Sequence, residues 1–274
     1  MKNILLPTDF SENSKNAIDY ALALYKNESC NFYVLNVQKQ SDFLLDDLMA
    51  STANSTLHND IIEDNKSELY TFIDRLKMEN DSLNFYPLFD FDSLTNAINQ
   101  TVVANGIDLI VMGTNGATSA KEVIFGSNTL NTIRKVNCPI IIVPEDFKFN
   151  GLNSILFSTE DCKSINKEKA LPLFKILDLY GAKLSALNID ENHSNTSIDA
   201  KLCLEQLFNS YSFNFYNVSL VPSAMAISSC IQLQNHDLHT LFIEPKSIIE
   251  RLFQGSNTNE ITYRTRIPIL ILRK

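Results

Sequence analysis

Four of the seven glycines in the chain, Gly106, Gly113, Gly116 and Gly126, fall within 21 consecutive residues. From Leu109 the segment reads LIVMGTNGATSAKEVIFGSNTLNTI. Residues without a Cβ let the main chain adopt positive φ and let another atom approach it closely. Successive backbone N–H groups in such a loop form a concavity for anions. A helix beginning at about Ser127 would add its unpaired N–H groups and its positive dipole end. This chemistry suits a diphosphate or triphosphate and needs no ammonium group, which matters because Lys121 is the only cation in the segment.

Three other phosphate-handling patterns are excluded by spelling. The chain has no G-x-x-x-x-G-K-[ST], no G-x-G-x-x-G after its first apolar run, and no paired H-R-D and D-F-G. Asp9 is the acidic group nearest the first apolar run. It could face an anion through a cation, or simply cap the following helix with Glu12 as a capping-box partner. Ser127 is a natural N-cap as well. The histidines His58, His193, His236 and His239 fall in polar runs or at element ends; solvated or capping roles are expected for them, and no metal set is completed. The acidic group Asp46, Asp47, Asp60, Glu63 and Asp64 reads as a solvated face.

The elements that must position these residues recur along the chain. Apolar runs at Asn3–Thr8, Asn31–Val37, Leu83–Phe91, Asp108–Met112 and Pro139–Val143 read as strands. Helical periodicity separates them, through Ala17, Ala21, Leu22 and Leu24, then Ile62, Leu69, Phe72, Ile73 and Leu76, then Ile98, Val102 and Val103, then Leu130, Ile133 and Val136. The series repeats at Ser154–Thr159, Lys183–Ile189, Ser212–Val218, His239–Ile243 and Pro268–Leu272. The tetrapeptide Gly-Ser-Asn-Thr occurs at 126–129 and again at 255–258, in each case 13 residues before the proline that opens the last strand, Pro139 or Pro268. Strands alternating with helices, several of them continuous apolar runs, predict an α/β fold of two tandem, doubly wound, five-stranded parallel sheets. The expected domains are 1–146 and 151–274, joined by a linker at Glu145–Leu152. Ligands of such sheets bind beyond the carboxyl ends of the strands, where the winding reverses, so the residues after the first and fourth strands are the ones to inspect.

Bulk properties agree with two soluble domains. The chain has 274 residues, with 45% apolar and 20% charged side chains. Residues 1–150 carry 20 acidic and 11 basic groups, and residues 151–274 carry 12 of each, so neither half offers the basic stripe that nucleic acid requires. No apolar run approaches the length of a membrane span. The cysteines Cys30, Cys138, Cys162, Cys203 and Cys230 are odd in number and widely spaced, which argues against a disulfide framework and for a reducing, cytoplasmic setting.

The spacing of Gly113, Gly116 and Gly126-Ser127, together with ILLPTDFS at the start, LIVMGTNG on the fourth strand and CPIIIVP at the end of the first half, resembles the universal stress protein family, specifically its ATP-binding branch. The likeness covers the chain as a tandem pair and is stronger over 1–146. It implies an adenine nucleotide alpha hydrolase-like, Rossmann-like fold and a set of roles. Pro7, Thr8 and Asp9 would end the first strand, with Asp9 near the nucleotide and a magnesium ion. Val37 would border the adenine. Met112 and Gly113 would contact base and ribose, while Asn115, Gly116, Gly126, Ser127 and Asn128 would hold phosphates. The ligand would be ATP, or AMP or ADP, and the last strands of the two halves would pair, with a homodimer or another protein as a further partner.

The second half reads as degenerate. Aligning the fourth strands by eye sets Ile243-Glu244-Pro245-Lys246-Ser247 opposite Met112-Gly113-Thr114-Asn115-Gly116, with two residues fewer before Gly255. Ser158-Thr159-Glu160 stand opposite Pro7-Thr8-Asp9. A different ligand there could use Lys246 or Arg251. The expected function is an ATP-binding regulatory protein of the cytosolic stress response with little or no catalysis. The alternatives are a ligand-free dimerisation module and a slow magnesium-dependent ATPase. The polar stretch Gln40–Ser55 is placed to act as a lid.

Overall fold

The computed structural model describes residues 2–38, 54–114, 125–191, 197–243 and 266–273. The expected lid segment lies almost wholly outside these residues, as do Asn115, Gly116 and the chain from Glu244 to Thr265. The first half runs β1 (Asn3–Thr8), α1 (Glu12–Leu24), β2 (Asn31–Val37), α2 (Asn54–Glu79), β3 (Asn84–Asp90), α3 (Leu94–Asn105), β4 (Leu109–Gly113), α4 (Ser127–Lys135) and β5 (Ile140–Val143). The second half runs β6 (Ser154–Thr159), a 3-10 turn (Cys162–Ser164), α5 (Leu171–Tyr180), β7 (Lys183–Asp190), α6 (Ser197–Leu207), β8 (Phe213–Ser219), α7 (Ser223–Gln234), β9 (Leu238–Ile243) and β10 (Ile269–Arg273).

All ten strands form one sheet, in the order β3-β2-β1-β4-β5-β10-β9-β6-β7-β8. Pairing is parallel within each half and antiparallel at the single junction, where Ile269, Leu270 and Ile271 face Ile142, Ile141 and Ile140. The two expected five-stranded sheets are thus one continuous sheet. β5 and β10 have no exposed edge: Ile140–Val143 and Ile269–Leu272 are fully buried, which explains their unbroken apolar sequence. Helices cover both faces. Ala17, Ile18 and Ala21 of α1 and Leu69, Phe72 and Ile73 of α2 share one core with Leu173, Ile176 and Leu177 of α5 and Leu204 of α6. Ala97 and Ile98 of α3, Ile133 of α4 and Ile227 of α7 fill the other. Val103, read from periodicity as part of the apolar stripe of α3, points outward and is 83% exposed.

Corresponding hydrogen bonds fix how the halves match. Asp108 accepts from the N–H groups of Lys2 and Asn3, and Asp237 accepts from those of Asn153 and Ser154. The Ile110 N–H bonds the Pro139 carbonyl as the His239 N–H bonds that of Pro268. Both matches, like Gly126 with Gly255, are 129 positions apart, so there is no gap. This corrects the alignment made by eye, which is displaced by two residues. Leu241 stands opposite Met112, Phe242 opposite Gly113 and Ile243 opposite Thr114. At the same offset Pro245, which has no N–H to donate, falls opposite Gly116.

The segment expected to be a linker is packed. Phe147 and Phe149 meet Tyr20 of α1 edge-on at 5.9 and 5.5 Å, and Phe149 meets Tyr180 at 5.8 Å. Lys148 reaches the Asn16 side-chain oxygen at 3.0 Å, and the Tyr180 hydroxyl donates to the Leu24 carbonyl at the end of α1. Tyr180→Phe keeps the ring and removes that one bond across the halves. It is expected to cost about 1 kcal/mol, read as a fall in Tm of roughly 2–4 °C by calorimetry.

Two further expectations are overturned. His236 and His239 are buried rather than solvated: His236 bonds Ser154 and His239 bonds Ser158, each at 2.7 Å. Cys162 and Cys203 are joined by a disulfide. Their separation of 41 residues carries no spacing signal, and the bond is made because the 3-10 turn after β6 faces α6.

Candidate functional site

β1 ends where its pairing with β2 and β4 opens outward, which places Pro7, Thr8 and Asp9 beside the carboxyl ends of β2 and β4. The turn that follows is held by its own side chains. Thr8 Oγ1 accepts from the Phe10 N–H at 3.0 Å and shares a 3.0 Å bond with Ser14 Oγ. Asp9 Oδ1 accepts from the Ser11 N–H and hydroxyl. Ser11, not Asp9, is the N-cap of α1, its hydroxyl accepting from the Ser14 N–H. The capping-box alternative for Asp9 is therefore not realised, and its exposed carboxylate stands on the turn itself. Phe10 takes φ 60°, an uncommon conformation for a residue with a ring, and is braced by edge contact with Phe72 at 5.9 Å. Asn36 donates to the Thr8 carbonyl at 2.9 Å and ties β2 to the same point.

On the other side, Gly126 rather than Ser127 occupies the N-cap of α4, and no side chain caps that end. The Gly126 N–H bonds the Thr114 carbonyl at 2.8 Å. Thr129 Oγ1 donates to the carbonyls of Gly113 and Thr114, 3.0 Å each, stitching the end of β4 to the first turn of α4. Among the described residues no side chain caps the first N–H groups of α4, whose Asn128 and Thr129 line the crevice between β1 and β4.

A cavity of about 130 Å³ lies between these parts, lined by Pro7, Thr8, Asp9, Ser14, Val37, Leu94, Met112, Gly113, Asn128 and Thr129. It brings together seven of the residues expected from sequence. Gly126 and Ser127 sit just beyond, at the start of α4. Asn115 and Gly116 lie outside the described residues. Ser14, Leu94 and Thr129 were missed; for Thr129 the signal was present, since it closes the repeated Gly-Ser-Asn-Thr. The walls divide chemically: Val37, Leu94 and Met112 offer an apolar slot, and the Asp9 turn and the α4 end offer polar groups. Asp9 is the one charged residue among those lining it.

Packing gives Gly113 a reason to be glycine besides the expected one. A Cβ there would lie 2.7 Å from the Cγ, Oδ1 and Nδ2 of Asn13, buried on α1. The close approach is made by α1 against β4, with no positive φ at this glycine.

In the second half the matching crevice is filled from within. Ser223, first residue of α7 and the counterpart of Leu94, has its hydroxyl within hydrogen-bond reach of both Glu160 and Glu191 and donates its N–H to Glu191. Ile189 of β7 takes the place of Val37, and the buried Asp190 follows it at the end of the strand. Two carboxylates and a hydroxyl thus take the Leu94 side of the slot, while Ile189 and Leu241 keep its other wall apolar, and Phe242 stands at the place of Gly113. Among the described residues no group of three or more histidine, cysteine or acidic side chains could hold a metal, and no helix is long and apolar enough to cross a membrane.

A model described as the universal stress protein family matches residues 1–144. A universal stress protein of Methanocaldococcus jannaschii is 26% identical over 152 residues, which is 52% of this chain and 94% of the relative. A second from that organism is 24% identical over 153 residues, 54% of this chain and 84% of the relative. Among solved structures, a universal stress protein from Archaeoglobus fulgidus superposes with a TM-score of 0.74 at 19% identity, covering 99% of this chain and 98% of that one. The cytoplasmic domain of a prokaryotic cation chloride cotransporter gives a TM-score of 0.52 at 12% identity, over 99% and 95% of the two chains. The paired-half fold therefore serves more than one purpose, and function has to be argued from the site. With the family match spanning more than half of its length and the strand order, junction and crevice as described, the chain belongs to the universal stress protein family.

Proposed function

We propose that this chain is an ATP-binding regulatory protein of the stress response, with one nucleotide site built by residues 1–146 and none of that kind in residues 151–274. The observation that carries this reading is the convergence of Pro7, Thr8, Asp9, Val37, Met112, Gly113 and Asn128 on one cavity beside an uncapped helix end. The cavity, at about 130 Å³, is smaller than the 300–1,000 Å³ of pockets that enclose whole ligands. It suits one ring system against Val37, Leu94 and Met112, with the ribose at Gly113 and the polyphosphate running out toward Asn115, Gly116, Gly126, Ser127 and Asn128. Main-chain N–H groups, not lysines or arginines, would carry the phosphate charge.

A magnesium ion fits this arrangement. Magnesium is commonly held by one or two carboxylates together with phosphates and water, and Asp9 is the single carboxylate on the wall. Bound there, the ion would neutralise phosphate charge, while Ser11 fixes the Asp9 carboxyl from the opposite side. Among the described residues no second acid or base and no arginine lines the cavity, which favours retention over turnover. β10 already covers the β5 edge, so a homodimer would need a different surface from the last-strand edge.

Mass spectrometry of protein purified without added nucleotide and then denatured is expected to find one adenine nucleotide per chain. Asp9→Ala is expected to weaken ATP binding about 10- to 150-fold by titration calorimetry, the worth of one charge-assisted contact. No bound nucleotide, together with no thermal shift on adding ATP, ADP or AMP, would instead support the ligand-free interaction module. Sustained phosphate release that Asp9→Asn abolishes would make the protein an ATPase.

A further inference from the structure

The first connection of each half is fastened to the helix that follows the second strand, but by different chemistry. In the first half the fastening is Phe10 on Phe72 of α2. In the second half it is the bond from Cys162, in the 3-10 turn, to Cys203 of α6. Cys162 takes the place of Ser11, the N-cap of α1, counted at the offset that matches β1 to β6.

The helix so fastened is anchored at its far end by Leu204, Leu207 and the following Phe208, which is buried against Phe157, Phe174 and Phe213, while its first turns are held by less. α6 is 11 residues long and buries Ala200, Leu204 and Leu207, whereas Ile198 and Leu202 are 71% and 53% exposed. α2, by comparison, has 26 residues and buries Leu69, Phe72, Ile73 and Leu76. An open groove of about 590 Å³ runs along the bond, lined by Lys163, Asn166, Lys167, Asp199 and Leu202 as well as by both cysteines. A small thiol can reach Cys203, which is half-buried in that groove. The remaining cysteines are poorly suited to exchange. Cys30 and Cys138 are buried, and burial pushes the Cys138 thiol up to about 12 and raises those of Cys30 and Cys230.

We propose that Cys162 and Cys203 are a reversible thiol–disulfide latch, closed to hold α6 against the second half and opened by a low-molecular-weight thiol to release it. In the opening reaction the thiolate of the small thiol attacks one sulfur of the pair. The other cysteine leaves as a thiolate and takes up a proton, and a mixed disulfide remains. A second small thiol, as its thiolate, then displaces the protein sulfur. The balance is two small thiols oxidised to one small disulfide and one protein disulfide reduced to two cysteines; a small disulfide drives the reverse. Opening uncovers the seat of Leu204, Leu207 and Phe208, and the first-half crevice takes no part.

The test uses the full chain purified in air without reductant. Under denaturing conditions, maleimide is expected to label three thiols before reduction and five after it, with the two new labels on Cys162 and Cys203. Native hydrogen exchange is then followed by mass spectrometry, with and without dithiothreitol. Amides of 200–208 are expected to exchange at least about tenfold faster in the reduced protein, since opening removes a link that closes a long loop. Cys162→Ser with Cys203→Ser should exchange fast in either condition. Five thiols labelled before reduction would overturn the latch. So would unchanged exchange over 200–208 in wild-type protein whose bond is shown to be open, a result that does not depend on the variant folding.

Discussion

Gly113→Val is expected to weaken ATP binding about tenfold to a hundredfold and to lower Tm by several degrees. Adding Asn13→Ala to it should restore both. A Cβ at this position meets three atoms of the Asn13 side chain at 2.7 Å, so a valine must displace that buried side chain or push α1 away from β4. Overpacking of this kind costs about 1–3 kcal/mol. The buried Asn13 side chain is what must yield, and α1 also carries Ser14, bonded to Thr8, and follows the Asp9 turn, so repacking of this helix disturbs one wall of the crevice. The second half holds the complementary arrangement, with Phe242 on the strand and Ser164, counted at the same offset, where Asn13 stands. Calorimetry and ATP titration on the two single variants and the double variant close the cycle, and a coupling of 1–3 kcal/mol is expected. A double variant as poor at binding as Gly113→Val alone would return the glycine to the role first expected of it, room for the ligand.

That glycine shows what the sequence can and cannot carry. Its spacing from Gly116 and Gly126 pointed to the right loop, but the atom that needs the space belongs to a helix 100 residues earlier, and no local pattern reports such a contact. Strands were legible because a sheet covered on both faces demands continuous apolar runs: Asn3–Thr8, Asn31–Val37 and Ser154–Thr159 coincide with β1, β2 and β6. Pro7, Thr8, Asp9 and Met112 were legible as site residues because strand ends at the reversal of winding are fixed once the strands are known. Side-chain partners were not. Ser11 displaced Asp9 as N-cap, Gly126 displaced Ser127, and the junction of β5 with β10 follows from neither strand alone. The register of the second half failed for a particular reason. Two apolar fourth strands can be laid over each other at several offsets, whereas Asp237 repeats the backbone contacts of Asp108 and fixes the register through hydrogen bonds.

The corrected register sets His239 opposite Ile110, in the middle of the sheet, and predicts an acid-sensitive point in the second half that the first half lacks at that position. His239 is fully buried and bonded to Ser158, and burial, reinforced by nearby His236, lowers its pKa from 6.5 to about 3. Burial lowers His236 as well, with Asp237 opposing. Between pH 6.5 and 3 the unfolded chain binds a proton at His239 that the folded chain does not, so the unfolded state holds more protons and stability falls as the pH falls. The contribution of the neutral ring is fully present above the unfolded value near 6.5 and is lost progressively toward the folded value near 3. A difference of that size corresponds to about 4–5 kcal/mol, a large fraction of the 5–15 kcal/mol that usually holds a domain folded. Urea unfolding at pH 7 and at pH 4.5, followed by a probe in the second half, is expected to show a midpoint that drops steeply with acid. His239→Ile alone would strand the Ser158 hydroxyl in the core, so the informative variant pairs it with Ser158→Ala, which puts the residue of the first half at 239 and leaves no polar group unpaired. That variant should retain most of its pH 7 midpoint at pH 4.5 once carboxylate titration is subtracted. An equal loss in wild type and variant would mean that the acid response arises elsewhere than at this ring.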